Sequence, residues 1–138
     1  MLFEEIVFGP IKSRRLGVSL GVNVLPTEKK YCSFNCIYCE CGWNKIDTSI
    51  QVPLNKREDI KQALYKKLSE STAEFNSTID SITFSGNGEP TLHPDILGIV
   101  EDVIEIRNEF CPQAKITILS NSTNLVREDV FKALQLID

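Results

Sequence analysis

The feature that most constrains the fold of this chain is an alternation between segments with strand periodicity and segments with helical periodicity. Residues 18–24 alternate strictly between apolar and small or polar side chains, which is typical of a strand with one buried face. The apolar positions are Val18, Leu20, Val22 and Val24, and the other face carries Ser19, Gly21 and Asn23. Two further strands are predicted at 79–85 and 115–120.

Segments of helical periodicity follow each strand. A helix is predicted over 56–74, a second from Pro94 to about Phe110, and a third from an N-cap at Asn124 to Leu136. The apolar stripes are Ile60, Ala63, Leu64 and Leu68 in the first helix and Ile96, Leu97, Val100, Val103 and Ile104 in the second. The order β, loop, α, β, α, β, α predicts an α/β fold of parallel βα repeats with right-handed crossovers.

The remaining sequence sets the general class of protein. Residues 4–11 are apolar enough for an additional strand, which we expect to end at Gly9–Pro10. With 138 residues, a single domain is expected. No run approaches 18 apolar residues and the N-terminus is acidic, so we expect no membrane span and no signal peptide, and a cytoplasmic location with reduced thiols. The net charge of −4 gives no electrostatic footprint for nucleic acid.

Parallel order has a consequence for function, because the loops after parallel strands gather at one edge of the sheet. The first such loop contains the segment YCSFNCIYCECGWN, residues 31–44. The second is SGNGEPTLHP at 85–94, and the third is SNST at 120–123. We therefore expect these three loops, rich in small and polar residues, to form one site.

The first loop holds four of the five cysteines, which are Cys32, Cys36, Cys39 and Cys41. Disulfides are disfavoured, because they require an oxidising compartment and five cysteines cannot all pair. Structural zinc usually takes its four ligands from two separated pairs, whereas these thiols lie in one tight loop. An iron–sulfur cluster fits better, since a short loop can supply thiolates to several of its corners. Cys111 follows a helix and is interpreted as a buried structural cysteine.

The cysteine spacing C-x3-C-x2-C, with Tyr38 before the third cysteine, resembles the motif of the radical S-adenosyl-L-methionine (SAM) superfamily. Residues 86–90, GNGEP, resemble the GGEP segment at the end of that superfamily's second strand. The stretches SRRLGVSLGVNVLP and FSGNGEPTLHPD resemble a bacterial and archaeal branch related to wyosine-forming tRNA-modifying Fe–S oxidoreductases. The resemblance covers essentially the whole chain.

The resemblance implies an enzyme and its cofactors. Cys32, Cys36 and Cys39 would hold a 4Fe-4S cluster, whose remaining iron would chelate the methionine amine and carboxylate of SAM. Reductive cleavage of SAM would then give a 5′-deoxyadenosyl radical that abstracts hydrogen from an unidentified substrate. The implied SAM contacts are the backbone of Gly86, Asn87, Gly88 and Glu89 at the amine, Tyr38 near the adenine, and Ser120 and Asn121 at the methionine or ribose.

The resemblance also implies a fold, a partial TIM barrel of six βα units, of which this chain supplies about three. Ser19, Gly21 and Asn23 are then expected to face the lumen, while Val18, Leu20 and Val22 pack under the helices. Half a barrel would leave the third strand of the repeat with a free edge, which predicts self-association. We also expect weak SAM binding and little 5′-deoxyadenosine from the isolated chain.

Partners and alternatives stay open at this point. An electron donor resembling flavodoxin or ferredoxin is implied, no membrane partner is expected, and RNA is suggested only by the family resemblance. The alternatives are a glycyl-radical activating enzyme and a non-catalytic module that binds zinc or a closed Fe–S cluster through all four cysteines.

Several residues have a structural interpretation beside the functional one. Cys41 either is structural or binds the open iron when SAM is absent. His93, the only histidine, is interpreted as a turn or cap residue rather than a base. Arg14–Arg15 belong to the surface or bind a ligand, Tyr38 could simply pack, and Asn87–Gly88 could be only a turn.

Overall fold

The computed structural model describes residues 1–44 and 52–138. Within these ranges the chain forms four strands, four α-helices and one short 3-10 helix. The strands are β1 (Val7–Ser13), β2 (Gly17–Val22), β3 (Ser81–Phe84) and β4 (Lys115–Ile118). The helices are α1 (Arg57–Ser69), α2 (Ala73–Ser77), α3 (Ile96–Phe110) and α4 (Glu128–Leu136), and the 3-10 helix is Pro90–Leu92.

The four strands of the described ranges form one sheet in the order β1-β2-β3-β4. Strands β2, β3 and β4 are parallel, with Leu20 opposite Ile82 and Ile82 opposite Ile116. β1 runs antiparallel to β2 at one edge. The predicted α/β class with parallel βα repeats is therefore confirmed, with an antiparallel edge strand added.

The two faces of the sheet differ as the sequence alternation predicts. Leu20, Val22 and Val24 lie in the main hydrophobic core, together with Ile60, Leu64 and Leu68 of α1 and the apolar side of α3. The opposite face carries a row of hydroxyl groups from β2, β3 and β4. The Ser19 Oγ lies 2.8 Å from the Thr83 Oγ1, which lies 2.7 Å from the Thr117 Oγ1. The predicted register is correct, although Val18 is only half-buried.

The first strand continues where we expected it to stop. Gly9–Pro10 lies inside β1, at a shift in register between Phe8 and Ile11. A proline is tolerated at such a place because it lies on an edge strand and at a bulge, where its missing N–H breaks no regular ladder bond. The strand therefore resumes and pairs with β2 as far as Ser13.

Two predicted helix boundaries are wrong. The helix predicted over 56–74 is divided, since α1 ends at Ser69 and the Thr72 Oγ1 accepts a hydrogen bond from the Phe75 N–H to begin α2. Asn124 does not cap the last helix, which begins at Glu128. Instead its side-chain amide donates to the Thr91 Oγ1 at 3.0 Å, so the residue joins two loops.

β4 forms the other edge of the sheet and, among the described residues, pairs only with β3. Leu119, directly after β4, is 56% exposed. None of the helices in the described ranges is long and apolar enough to cross a membrane.

Candidate functional site

The three predicted loops meet at the carboxyl ends of the parallel strands. The cysteine loop and the loop after β3 are joined through the backbone, because the Tyr31 N–H donates to the Asn87 carbonyl at 2.8 Å and the Glu89 N–H donates to the Tyr31 carbonyl at 3.1 Å. Two side chains of the loop after β4 contact these two loops, since Ser120 donates to Glu89 and Asn121 donates to Ser33. The three loops therefore converge at one edge of the sheet, as the parallel order predicts.

Asn87 holds the second loop in place from inside the protein. Its side chain is fully buried, and its amide donates to the carbonyls of Phe3 and Pro26, both at 2.8 Å. Its Oδ1 accepts a hydrogen bond from the Phe3 N–H at 2.8 Å. Asn87 is thus more than a turn residue, because its side chain and its backbone N–H are both committed to contacts within the protein.

The two glycines beside Asn87 are required by close approach. Gly88 has a φ of +144°, and a Cβ there would lie 1.9 Å from the Tyr31 carbonyl oxygen. Gly86 has a φ of +136°, and a Cβ there would lie 2.5 Å from the Asn23 Oδ1. A side chain at Gly88 would push the two loops apart, because the atom that it meets is backbone.

Glu89 connects the second loop to the third. Its side chain is buried, and its Oε1 accepts hydrogen bonds from the Thr91 Oγ1 at 2.6 Å and the Ser120 Oγ at 2.7 Å. Its Oε2 accepts from the Asn121 N–H at 2.6 Å. The sequence interpretation assigned a role only to the Glu89 backbone, so it missed this carboxylate. The sequence signal for it is an acidic residue before a proline within a loop that follows a strand.

Asn121 reaches from the third loop to the cysteine loop. Its side-chain Nδ2 lies 3.0 Å from the Ser33 Oγ and 3.7 Å from the Cys32 Sγ, within hydrogen-bond range for sulfur. Ser120 and Asn121, which we expected to face SAM, therefore use their side chains largely to join the three loops.

The four loop cysteines are free thiols of intermediate exposure. Cys32 accepts a hydrogen bond at sulfur from the Phe34 N–H at 3.4 Å. The backbone turns twice around Cys39, since its N–H donates to the Cys36 carbonyl and its carbonyl accepts from the Gly42 N–H. The Cys41 thiol lies 3.5 Å from the Gly86 carbonyl, so this fourth thiol contacts the second loop.

The electrostatic surroundings separate Cys39 from Cys41. Burial by itself raises the pKa of the Cys39 thiol, but the Cys41 N–H and the ammonium of Lys30 outweigh it, and the net pKa is lowered. Burial and the neighbouring Cys39 raise the pKa of the Cys41 thiol. Lys30 is itself buried, and its Nζ donates to the Gly42 carbonyl at 2.9 Å. Cys39 is thus the more readily ionised thiol of this pair.

Within the described ranges, no three His, Cys, Asp or Glu side chains are grouped closely enough to hold one metal ion. A cubane cluster does not need such a group, because its cysteines bind different irons. The donor set fits a cluster, since Cys32, Cys36 and Cys39 are accessible soft donors. Backbone N–H groups also lie beside the sulfurs of Cys32 and Cys39.

The aromatic residues of the cysteine loop point outward. Tyr38 is 84% exposed, and a hydrogen bond with the Cys36 side chain is the main cause that raises its pKa. Its predicted place near an adenine would therefore lie at the open rim of the site. Ile37 is even more exposed.

The other singled-out residues have structural surroundings. The His93 ring is buried, its Nδ1 accepts from the Asp95 N–H at 3.0 Å, and its Nε2 lies 2.7 Å from the Asn55 carbonyl, in agreement with a turn or cap role. Cys111 is fully buried, which raises its pKa. Arg14–Arg15 are exposed in the turn between β1 and β2.

A cavity of about 350 Å³ lies on the hydroxyl-bearing face of the sheet, beside the cysteine loop. Ser19, Thr83 and Ser85 contribute polar groups to it, and Cys41 and Gly86 form part of its wall. Most of the remaining wall is apolar and consists of Phe3, Phe8, Ile11, Leu16 and Leu119. The site therefore adjoins a space large enough for a small organic ligand.

Comparison with known protein families identifies the class. The model of the radical SAM superfamily matches residues 30–136, which include the loop cysteines, the loop after β3 and Asn121. The chain therefore belongs to the radical SAM superfamily, as its motifs predict. Its mostly parallel sheet and helices correspond to part of the superfamily's barrel.

Several curated proteins are similar over nearly the whole chain. A UPF0026 protein of Helicobacter pylori is 36% identical over 135 residues, which cover 96% of this chain and 40% of that protein. A UPF0026 protein of Methanocaldococcus jannaschii is 37% identical, covering 91% of this chain and 36% of the relative. A protein of Brachyspira hyodysenteriae named GTPase Obg is 34% identical, covering 96% of this chain and 18% of the relative. The chain thus spans about two fifths of the UPF0026 relatives, and no solved structure gives a significant match.

Proposed function

We propose that this chain is the cluster- and SAM-binding part of a radical SAM enzyme, in which Cys32, Cys36 and Cys39 hold a 4Fe-4S cluster. The observation that carries the proposal is the joining of the three-cysteine loop to the loops after β3 and β4 in a chain of this superfamily. When bound and reduced, such a cluster supplies the electron that breaks a carbon–sulfur bond of SAM, which gives a 5′-deoxyadenosyl radical.

Three cysteines of the chain would bind the cluster, and SAM would bind the remaining iron. Three thiolates leave one iron of the cluster without a protein ligand, and this open position is where the methionine amine and carboxylate would bind. Cys41 is not needed as a ligand, since its thiol is directed to the Gly86 carbonyl and its pKa is raised. This geometry favours the structural interpretation of Cys41.

The second loop is suited to hold the methionine end of SAM. Gly86, Asn87, Gly88 and Glu89 lie in a loop that buried contacts fix, so their carbonyl oxygens, each of which can accept a second hydrogen bond, would receive the methionine amine without reordering. Tyr38 would cover the adenine from the rim, and Ser120 and Asn121 would border the methionine or ribose. A preorganised binding surface lowers the entropy lost when a ligand binds.

The reaction after hydrogen abstraction and the substrate belong to the whole enzyme. An electron donor resembling flavodoxin or ferredoxin would deliver the electron, and RNA as substrate rests on family resemblance alone. The apolar wall of the neighbouring cavity would shield a radical from water, which prevents side reactions.

The test is anaerobic reconstitution of the chain with iron and sulfide, followed by metal and sulfide analysis. We expect about four irons and four sulfides per chain, as for a single cubane. Cys32→Ala, Cys36→Ala and Cys39→Ala should each abolish retention of the cluster, while Cys41→Ala and Cys111→Ala should retain it. Stoichiometric zinc without iron uptake would overturn the proposal and favour a zinc module.

A second measurement tests the SAM part separately. Adding SAM to the reduced, cluster-loaded protein should change the electron paramagnetic resonance (EPR) spectrum, because the methionine amine and carboxylate would bind the open iron. With excess reductant, 5′-deoxyadenosine should form, though slowly, because the chain spans only part of its relatives. An EPR spectrum of the cluster that does not change at saturating SAM would contradict this part of the proposal.

A further inference from the structure

The Asn121 side chain is held in one orientation by a closed ring of hydrogen bonds. Its Oδ1 accepts from the Thr123 N–H at 3.1 Å and from the Thr123 Oγ1 at 2.7 Å. The Thr123 Oγ1 lies 3.0 Å from the Ser33 Oγ, which in turn lies 3.0 Å from the Asn121 Nδ2. Because a backbone N–H can only donate, the oxygen of the amide must face Thr123 and the nitrogen must face the cysteine loop.

The amide nitrogen has two hydrogens, and the ring uses one of them. The first goes to the Ser33 Oγ, and the second is directed to the Cys32 Sγ at 3.7 Å. The Asn121 backbone is fixed independently, because its N–H donates to the buried Glu89 carboxylate at 2.6 Å. The donor to the Cys32 sulfur is thus anchored on both its side-chain and its main-chain sides.

We propose that Asn121 is a positioning residue that raises the reduction potential of the cluster by donating a side-chain N–H hydrogen bond to the sulfur of Cys32. The inference rests on the proposed function, since it requires Cys32 to be a cluster ligand. A hydrogen bond to a ligating sulfur stabilises the more electron-rich, reduced cluster more than the oxidised one. Asn121 therefore favours the reduced form that SAM cleavage requires.

The experiment is a redox titration of the reconstituted full chain, in which EPR reports the fraction of reduced cluster at each potential. Asn121→Ala should lower the ratio of reduced to oxidised cluster at a fixed potential by about three- to tenfold, as expected for the loss of one charge-assisted hydrogen bond. Asn121→Asp has nearly the same shape but replaces the donor with a negative charge, so it should lower the ratio further.

Two further variants separate tuning from mere loop structure. Thr123→Val removes one of the two hydrogen bonds that orient the amide and should give a smaller change in the same direction. Asn124→Ala is the matched control, because this asparagine lies in the same loop but donates to Thr91 instead of a cysteine. The ratio of reduced to oxidised cluster in Asn124→Ala should equal that of the wild type.

The outcomes distinguish this inference from the proposed function. Wild-type protein that takes up no cluster would refute the proposed function before any variant is compared. A wild-type cluster with Asn121→Ala and Asn121→Asp ratios equal to that of Asn124→Ala would overturn only the role of Asn121. If Asn121→Ala retains no cluster, Thr123→Val decides: a ratio below that of Asn124→Ala supports the role of Asn121, and an equal ratio overturns it.

Discussion

The cysteine loop, residues 31–44, and the loop after β3, residues 85–94, lie at the same edge of the sheet, yet they are held very differently. In the second loop Asn87, Glu89 and His93 are at most 2% exposed, and each makes side-chain hydrogen bonds to distant backbone or side chains. In the cysteine loop Ile37 is 93% exposed and Tyr38 is 84% exposed.

The two loops differ in the source of the interactions that stabilise them. The second loop is stabilised by the protein alone, because its buried side chains form hydrogen bonds with other parts of the chain. The cysteine loop has thiols that contribute little to packing, so a metal cluster would supply much of its stabilisation. A rigid surface beside a loop that a cluster would order is suited to binding a cofactor between them.

The largest expected effect is on hydrogen exchange in the two loops when the cluster is loaded. Amides of residues 33–40 should exchange about 100-fold more slowly with the cluster bound, because opening the loop would then require breaking metal–thiolate bonds. Amides of residues 86–93 should change little. The measurement is hydrogen exchange followed by mass spectrometry, and strong protection of residues 33–40 without metal would break the comparison.

The next effect concerns the stability of the metal-free protein. Asn87→Ala leaves the Phe3 N–H and the Phe3 and Pro26 carbonyls without their side-chain partner and should cost about 3 kcal/mol of unfolding free energy. Asn35→Ala, in the cysteine loop, removes an exposed side chain that accepts one hydrogen bond from the Asn44 N–H and should cost about 0.5 kcal/mol. Urea unfolding measures both, and equal costs would refute the distinction.

The third prediction uses pH to probe the second loop. Burial is the main cause that lowers the pKa of His93, nearby Asp95 opposes it and Arg127 adds to it. The unfolded chain therefore binds a proton more readily than the folded protein, so this contribution to stability is complete above about pH 6.5 and is lost as the pH falls below it.

The slope from this one residue is at most about 1.4 kcal/mol per pH unit. His93→Gln should flatten the dependence of the unfolding free energy on pH between about 6.5 and 5, the range just below the ordinary histidine value. An unchanged slope in the variant would assign the pH dependence to other groups.

The smallest effect on the free energy of unfolding is expected from substitution of Tyr38. Substitution of Tyr31, in the same loop, provides the comparison. Tyr31 is buried in the main core, and Tyr31→Ala should cost about 3 kcal/mol in metal-free protein. Tyr38→Ala should cost less than about 0.5 kcal/mol, because the ring is largely exposed. If Tyr38→Ala instead destabilises the metal-free protein strongly, Tyr38 packs as a structural residue and the proposed adenine contact loses its basis.

Much of the architecture was predictable because it follows from local periodicity. The alternation over residues 18–24 placed Leu20 and Val22 in the core and Ser19 on the open face, since neighbouring strand residues point to opposite sides. Parallel connectivity then brought three loops to one edge. The spacing of Cys32, Cys36 and Cys39 indicated the superfamily, because a motif of this kind is itself a local pattern.

Local periodicity could not predict which distant groups each polar side chain would meet. Asn87 bonds to Phe3, which lies 84 positions earlier, and the Glu89 carboxylate bonds to Asn121 across 32 positions. The same holds for β1, where Gly9–Pro10 looked like a strand end until pairing with β2 supplied a reason to continue. Hydrogen-bond partners of this kind depend on the packed arrangement of the whole chain.

The sequence by itself therefore determined the class of fold, the faces of the strands and the thiols available to a metal. The tertiary structure decided which loop is fixed by the protein and how Glu89 and Asn121 join the strand ends to the Cys32 sulfur. The physical reason is that period and spacing act between near neighbours in sequence. A buried polar group is satisfied by whichever partner folding brings to it.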